Sequence, residues 1–284
     1  MTVLVTGATG RIGSRFVPRL LDHPEQVRIL VRDAERAESL RRLGAELVVG
    51  DLRDAGALER AVDGVDAVVH LGVVLTALAR GASEEEAAAV NRTATVELAR
   101  AALQAGVPRF VFASTNLIYG PGRGRPARED DQPQPASHVY PATKAAAEQA
   151  LGELHRDAAL GLRVVRLAFV YGEGDPHLAE SLRWARSWPA HQRLHMIHHA
   201  DAAQALLRVL HNGVDGRTYN AADDAPVTAW ELYQLNREPM PEDAAGRPLE
   251  DPWEGIVDSA RIRRELGFRP IYPTVYTARD AGAL

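Results

Sequence analysis

Residues 2–13 read TVLVTGATGRIG: an apolar, β-branched run over Val3–Thr6, then Gly7, Gly10 and Gly13 at three-residue intervals. From Ile12 to Leu21 the apolar residues recur at helical spacing, so a strand turns tightly into a helix here. Glycines at such a turn let the backbone come close to a pyrophosphate. The helix behind it offers unpaired N–H groups and the positive end of its dipole. A ligand-free βα turn makes similar demands on glycine. What decides for a dinucleotide site is the turn's place on the first strand of an alternating pattern.

That pattern continues outward. Further strand candidates are Val27–Val31, Glu46–Val49, Ala67–Leu71, Arg109–Ala113 and Leu162–Leu167. Helical spacing lies between them over Ala34–Leu43, Leu58–Val62, Glu84–Ala105 and about Tyr140–His155. The strands are apolar on both faces, as in a parallel sheet covered by helices on each side. The expected fold is α/β, a Rossmann-type doubly wound parallel sheet with a small C-terminal substrate-binding lobe. Residues 1–172 are expected to form the dinucleotide-binding core, with the sheet completed by about 198–222 through a strand near Arg217–Asn220. Residues 173–197 and 223–284 are expected to form the lobe, where short helices, Pro and Trp replace the alternation. Two Pro/Gly-rich loops, Gly120–Ser137 and Arg237–Pro252, interrupt the chain.

The 284 residues, 46% apolar and 25% charged, have the balance of an ordinary globular protein. Against 38 Asp+Glu stand 33 Lys+Arg, a net charge of −5 with no long basic block, which argues against nucleic acid as a main partner. The absence of cysteine removes disulfides, thiolate metal sites and a cysteine nucleophile. The longest apolar stretch, Ala67–Ala79, is well short of the roughly 20 residues of a membrane span. No signal-peptide pattern opens the chain. The expectation is a cytoplasmic protein with a small-molecule substrate and no membrane partner.

The adenosine ribose of a bound dinucleotide should meet the end of the second strand, at Val31, Arg32 and Asp33. Asp33, about 20 residues beyond Gly13, suits the free 2′-hydroxyl of NAD. Arg32, with Arg36 a helical turn later, suits the 2′-phosphate of NADP, and NADP is the expected choice. Asp51, in VVGDL, is placed to face the adenine edge or to cap the helix that follows.

Tyr140 and Lys144 form Y-x-x-x-K on one face of a predicted helix. A nearby ammonium favours the phenolate and lowers the tyrosine pKa, making Tyr140 an acid/base for a carbonyl or alcohol oxygen. Ser114 and Thr115 stand at the C-terminal edge of the fifth strand, where open α/β sheets bind ligands and a hydroxyl reaches the same oxygen. With these elements in place, the sequence resembles the extended short-chain dehydrogenase/reductase family, also called the NAD-dependent epimerase/dehydratase family. The matching segments are TGATGRIG, GDL, VVHLG, VNRTATVELARAA, FVFASTNLIYG, YPATKAAAEQ, RLAFVYG, HHADAAQALL, TYNAADDAPVT and RRELGFRP. They fall in family order from residue 2 to about residue 270.

The resemblance implies that Tyr140 is the catalytic acid/base, that Lys144 binds the nicotinamide ribose, and that Thr115 is the catalytic Ser/Thr. It implies an NAD(P) site formed by Gly7, Thr9, Gly10, Arg11, Ile12, Gly13, Arg32, Asp33, Asp51, Leu52, Leu71, Gly72, Asn91, Ser114, Tyr140 and Lys144. It also implies a homodimer through Glu84–Ala105 and Tyr140–His155.

Four departures from the family pattern bear on substrate and cofactor. Asn116 and Leu117 stand where the sugar-nucleotide dehydratases carry an Asp-Glu pair, so dehydration is not expected. Phe169 replaces the substrate-touching asparagine of R-x-x-N after Arg166. The stretch from Gly172 to Asp201 is short, as in the family's uronate dehydrogenases, and Val31 occupies the position of the ribose-binding acid of NAD-dependent epimerases. Substrate contacts are therefore expected at Thr115, Asn116 and Phe169, with a small substrate.

Other polar clusters read as structural. His191, His195, His198 and His199 lack a matching carboxylate, and no metal site is expected. His70 reads as a packed histidine, Arg123, Arg125 and Arg128 as a solvated loop, and Trp184, Trp188, Trp230 and Trp253 as packing. The expected function is NAD(P)-dependent hydride transfer to or from a small sugar-like or polyhydroxylated carbonyl/alcohol. The alternatives are a nucleotide-sugar epimerase with retained NAD and a non-catalytic dinucleotide-sensing protein.

Overall fold

The computed structural model describes residues 1–74, 83–135 and 138–284. The end of the apolar stretch Ala67–Ala79 and the last two residues of the loop Gly120–Ser137 lie outside the described residues. In chain order the strands are β1 (Thr2–Thr6), β2 (Gln26–Val31), β3 (Glu46–Val49), β4 (Ala67–His70), β5 (Phe110–Thr115) and β6 (Leu162–Leu167). They continue with β7 (Phe169–Tyr171), β8 (Arg193–Leu194), β9 (Met196–His198), β10 (Thr218–Ala221) and β11 (Val227–Thr228). The helices are α1 (Gly13–Leu21), α2 (Glu38–Arg42), α3 (Ala55–Val62), α4 (Glu84–Ala88), α5 (Thr95–Gln104) and α6 (Val139–Ala158). After them come α7 (His177–Glu180), α8 (Leu182–Ala185), α9 (His199–Asn212), α10 (Ala229–Leu235), α11 (Ala260–Leu266) and α12 (Val275–Asp280).

Seven strands make one parallel sheet in the order β10-β6-β5-β4-β1-β2-β3. Side chains alternate across it. Val3 and Val5 of β1 join a core cluster on one face with Phe16, Val17 and Leu20 of α1 and Leu206, Val209 and Leu210 of α9. Leu4 joins the cluster on the other face with Leu58 of α3, Leu98 of α5 and Leu151 of α6. Burying each such large apolar side chain contributes about 1.5–3 kcal/mol. This is the Rossmann-type doubly wound α/β fold.

Chain direction across the sheet reverses between β1 and β4, and the crevice above their C-terminal ends is where such sheets bind ligands. Both the glycine turn after β1 and the end of β5 at Thr115 lie at that edge.

Three sequence expectations are corrected. The helix expected at Leu58–Val62 begins at Ala55, where the Asp54 carboxylate accepts a hydrogen bond from the Gly56 N–H at 3.0 Å. Its first turn, Ala-Gly-Ala, is too small to show a period. The helix expected over Glu84–Ala105 contains a π-helical stretch, Ala89–Ala94, between α4 and α5. After Gly172 the sequence suggests only short helices, yet α9 runs for 14 residues. Its buried face mixes His199, Asp201 and three alanines with Leu206, Val209 and Leu210, so the apolar stripe is diluted.

Candidate active site

The three glycines have separate physical reasons. Gly7 has φ +72°, and a Cβ there would lie 2.6 Å from the Gly72 backbone nitrogen, so it is fixed by its close approach to the end of β4. A Cβ at Gly13 would lie 2.2 Å from the Gly7 carbonyl oxygen and 2.6 Å from the Ala8 Cα, so it is fixed by helix-to-strand packing. Gly10 is different. It is exposed, and a Cβ there would meet only the Gly7 oxygen, at 3.2 Å. Packing within the chain therefore does not account for its bareness. Ile12, at the N-cap of α1, has no side-chain hydrogen bond to the helix, which leaves the first turn open to an anion.

Thr9, Arg11 and Ile12 line the same turn, half-buried. Arg11 is committed: its guanidinium meets Asp175 at 3.1 Å and Glu180 at 2.8 Å, tying the glycine turn to the segment after Gly172. Asp175 in turn meets His199 Nε2 at 2.8 Å, both side chains fully enclosed. Sequence reasoning missed Asp175 and Glu180, and names His199 only within a histidine cluster read as structural. The turn-rich Gly172–Pro176 (GEGDP) was the only available signal.

At the end of β2, Arg32 and Asp33 are both exposed. The Asp33 carboxylate accepts hydrogen bonds from the Glu35 and Arg36 N–H groups, at 2.9 and 3.4 Å, and so caps the following turn. Arg32 forms no salt bridge among the described residues, although its charge is felt at Asp51. Asp51 pairs with Arg53 at 2.8 Å, and this hydrogen bond first, opposed by partial burial, holds its carboxyl down at about 2. Leu52 fills the space left by the missing Cβ of Gly72, its Cδ1 only 2.7 Å from where that atom would be, while Leu71 is buried beside it.

Asn91 lies in the π-helical stretch and is fully buried. Its amide accepts from the Val74 N–H at 2.7 Å and donates to the Val74 carbonyl at 2.9 Å and the Thr143 hydroxyl at 3.2 Å. It therefore holds the segment after β4 against α6. His70 is enclosed as expected, with Nδ1 2.5 Å from the Thr6 hydroxyl and Nε2 2.8 Å from the Thr95 hydroxyl. Thr95 donates its own proton to the Asn91 carbonyl, so Nε2 carries the imidazole proton. Burial first, then the Lys144 charge, lowers its pKa to about 3.

Three residues expected to act in catalysis lie on adjoining elements. Thr115 ends β5, and Tyr140 and Lys144 lie in the first two turns of α6. The neighbouring Thr115 hydroxyl, which accepts from the Leu117 N–H at 3.3 Å, favours the Tyr140 phenolate, but burial is the larger effect and pushes the phenol up to about 12. Lys144 is buried; its Nζ donates to the Ala113 carbonyl at 2.7 Å and sits 4.4 Å from the Phe112 ring centroid. Burial lowers this ammonium to about 7 against the opposing pull of Glu148. The expectation that Lys144 lowers the tyrosine pKa is thus corrected: with the ammonium directed at Ala113, enclosure governs the phenol. Ser114 Oγ, one residue before the end of β5, is buried with no hydrogen-bond partner among the described residues.

A buried network fixes α6 on the sheet. Arg166 of β6 pairs with Glu148, one turn beyond Lys144, at 2.6 Å, and donates to the Tyr119 hydroxyl at 2.7 Å. Tyr119 donates to Asn220 of β10, also at 2.7 Å. Asn116 donates to the Gly255 carbonyl at 2.6 Å, joining the residue after the catalytic threonine to the C-terminal segment. Leu117 is largely exposed.

Phe169 stacks on His177, 4.1 Å between ring centroids, with the Trp184 ring edge-on at 6.4 Å. The other expected clusters are dispersed. His195 accepts from the Val257 N–H, His198 caps α9 through the Ala200 N–H, and His191 is exposed. Arg125 pairs with Asp131, Arg128 with Asp258, and Arg123 donates to the Tyr119 and Gln132 carbonyls, so these arginines brace their loop while Arg128 stays exposed and Arg125 half-exposed. Trp188 packs with Leu232 and Tyr233; Trp253 lies under Arg193; Trp230 is exposed. Among the described residues no helix is long and apolar enough to cross a membrane.

Comparisons with known proteins agree with this fold. The family model for the NAD dependent epimerase/dehydratase family matches residues 3–222. A 4-hydroxy-2-methyl-3-oxo-4-farnesyl-3,4-dihydroquinoline-1-oxide ketoreductase from Stigmatella aurantiaca is 30% identical, over 80% of this chain and 70% of its own. A UDP-glucose 4-epimerase from Corynebacterium glutamicum is 26% identical over 100% of this chain and 95% of its own. Among solved structures, a dTDP-glucose 4,6-dehydratase from Streptomyces venezuelae with NAD and TYD bound superposes with a TM-score of 0.79. It is 26% identical, covering 99% of this chain and 97% of that one. The chain belongs to the NAD dependent epimerase/dehydratase family.

Proposed function

We propose that the chain is an NAD(P)-dependent oxidoreductase that transfers hydride to or from a small sugar-like or polyhydroxylated carbonyl/alcohol substrate. The observation that carries this reading is the Thr115–Tyr140 hydroxyl pair, with Lys144 on the same helix, at the sheet edge that the bare Gly10 turn also faces. The nicotinamide, when bound, supplies or accepts the hydride. The chain manages the proton. In reduction, Tyr140 gives its phenolic proton to the oxygen that gains the negative charge, while the Thr115 hydroxyl holds that oxygen. In oxidation the same atoms run in reverse.

A phenol held up at about 12 needs more than Thr115 to ionise near neutral pH. Lys144 is the cation on that helix face, and turning it from Ala113 toward the cofactor ribose would supply the charge. Gly7, Gly10 and Gly13 with the first turn of α1 would hold the pyrophosphate. Leu52, Leu71 and Gly72 would pack the adenosine side. Ser114 Oγ would gain its missing partner, and the unpaired Arg32 would read a 2′-phosphate.

Asn116 is spent on Gly255 and Leu117 cannot ionise, so the chain lacks the acid and base of a dehydration. Phe169, His177 and Trp184 offer an aromatic wall in place of the asparagine expected beside a nucleotide sugar. The epimerase reading is favoured by the full-length match to a UDP-glucose 4-epimerase and uses the same residues with a retained NAD. A panel of small ketones and polyols, assayed by nicotinamide absorbance with wild type and Tyr140→Phe, tests the proposal. Turnover is expected to fall at least about 1000-fold while dinucleotide affinity holds, as for loss of a general acid. Full activity in the variant would overturn it.

A further inference from the structure

We propose that His23, Glu25 and His211 form a metal site, separate from the catalytic edge, that takes one divalent ion of the zinc type. The three residues come from two chain segments. Helix α1 ends at Leu21, and His23 and Glu25 lie in the short passage to β2; His211 lies in the last turn of α9. The helices pack on the same sheet face through Phe16, Leu20, Leu206 and Leu210, which brings their C-terminal ends together.

One ligand atom from each residue lies within 4.8 Å of the other two. His211 Nε2 is 3.7 Å from Glu25 Oε1, and the two imidazole rings are 5.9 Å apart. Two of the atoms are left over: Glu25 Oε2 and His211 Nε2 are both buried with no hydrogen-bond partner among the described residues. The Glu25 side chain is only 8% exposed. A carboxylate so enclosed is costly unless something positive meets it. The nearby cations are engaged elsewhere. Arg19 is held by Glu173, and Arg208 donates to Gln204 and, at 2.7 Å, to the Leu266 carbonyl. Both helices also direct the negative ends of their dipoles toward this spot, which favours a cation.

The donor set selects the ion. Two imidazole nitrogens and one carboxylate oxygen suit zinc, with bonds of about 2.0–2.2 Å and a fourth position for water. The exposed side of His23 leaves that position open to solvent. Calcium and magnesium prefer oxygen throughout. Tetrahedral bonding sets ligand atoms about 3.4 Å apart, so the His211–Glu25 pair needs little movement. The ion would clamp the far ends of α1 and α9, and α1 carries the glycine turn at its other end.

The test is a calorimetric titration of Zn2+ into the full chain after chelator treatment, with Mg2+ as the comparison, and a thermal melt with and without metal. One Zn2+ per chain is expected, no Mg2+ uptake, and a rise in Tm of about 5 °C at a hundredfold excess over Kd. His211→Ala and Glu25→Gln are each expected to weaken Zn2+ binding at least tenfold. If His211→Ala fails to fold, Glu25→Gln alone decides, since it keeps the shape of the side chain. Wild type that takes up no Zn2+, or a folded variant that binds it as tightly as wild type, overturns the site.

Discussion

Substituting the three glycines of the β1–α1 turn separates what the fold needs from what a ligand needs. A methyl at Gly13 would lie 2.2 Å from a backbone oxygen and 2.6 Å from a Cα, neither of which can swing aside. Gly13→Ala should therefore cost at least about 3 kcal/mol, the upper range of overpacking. At Gly10 the methyl meets one oxygen at 3.2 Å. The mild crowding is offset by the roughly 0.4–1 kcal/mol gained when alanine stiffens the unfolded chain, so stability should change by less than about 1 kcal/mol. The methyl would, however, stand where the pyrophosphate must rest. Displacing even one charge-assisted N–H contact, worth about 1.5–3 kcal/mol, weakens binding roughly 10- to 100-fold. Thermal melts of Gly10→Ala without ligand, paired with fluorescence titrations of NADH and NADPH, measure both terms. A Gly10→Ala protein that binds both dinucleotides like wild type would refute the assignment of this turn to the pyrophosphate.

Two further expectations concern the cofactor's phosphate and acid stability. Arg32→Ala should weaken NADPH binding about tenfold, as for loss of one charge-assisted contact, and leave NADH within about twofold; equal losses for both would remove Arg32 as the phosphate reader. His70 has its folded-state pKa depressed from 6.5 to about 3 by burial, so the unfolded chain binds the proton first. Its contribution is intact above about pH 6.5 and is lost as pH falls toward 3, by up to about 5 kcal/mol at roughly 1.4 kcal/mol per unit. Urea melts from pH 7 to 4 should show a shallower loss in His70→Gln than in wild type, and parallel slopes would exclude His70 as the source.

The parts of the molecule legible in the sequence are those where local pattern and tertiary demand coincide. Runs such as Val3–Val5 are apolar on both faces and read as a central strand. The glycine turn and Tyr140–Lys144 are readable because their chemistry fixes residue type and spacing at once. Partners far apart in sequence are not. Nothing near Arg11 announces Asp175 or Glu180, some 160 residues away, and nothing near Arg166 says that its charge faces Glu148 rather than substrate. The tyrosine pKa was misjudged for a related reason. Spacing puts Lys144 on the right helix face, but which carbonyl its ammonium chooses depends on the strand beneath. Strands of two or three residues, β7, β8, β9 and β11, are too short to show any period.

The strand that closes one end of the sheet is made late. Between Leu167 at the end of β6 and Ala221 at the end of β10 the ribosome must add 54 residues (221 − 167), about 3–11 s of synthesis. Until then β6 presents its outer row of N–H and C=O groups bare, the kind of edge that recruits a neighbouring chain. The segment translated in that interval, from β7 through α9, is therefore more than a wall for substrate. It is a delay line, and α9, which packs on β5 and β6 before β10 emerges, completes the cover of those strands on the face that α6 leaves open.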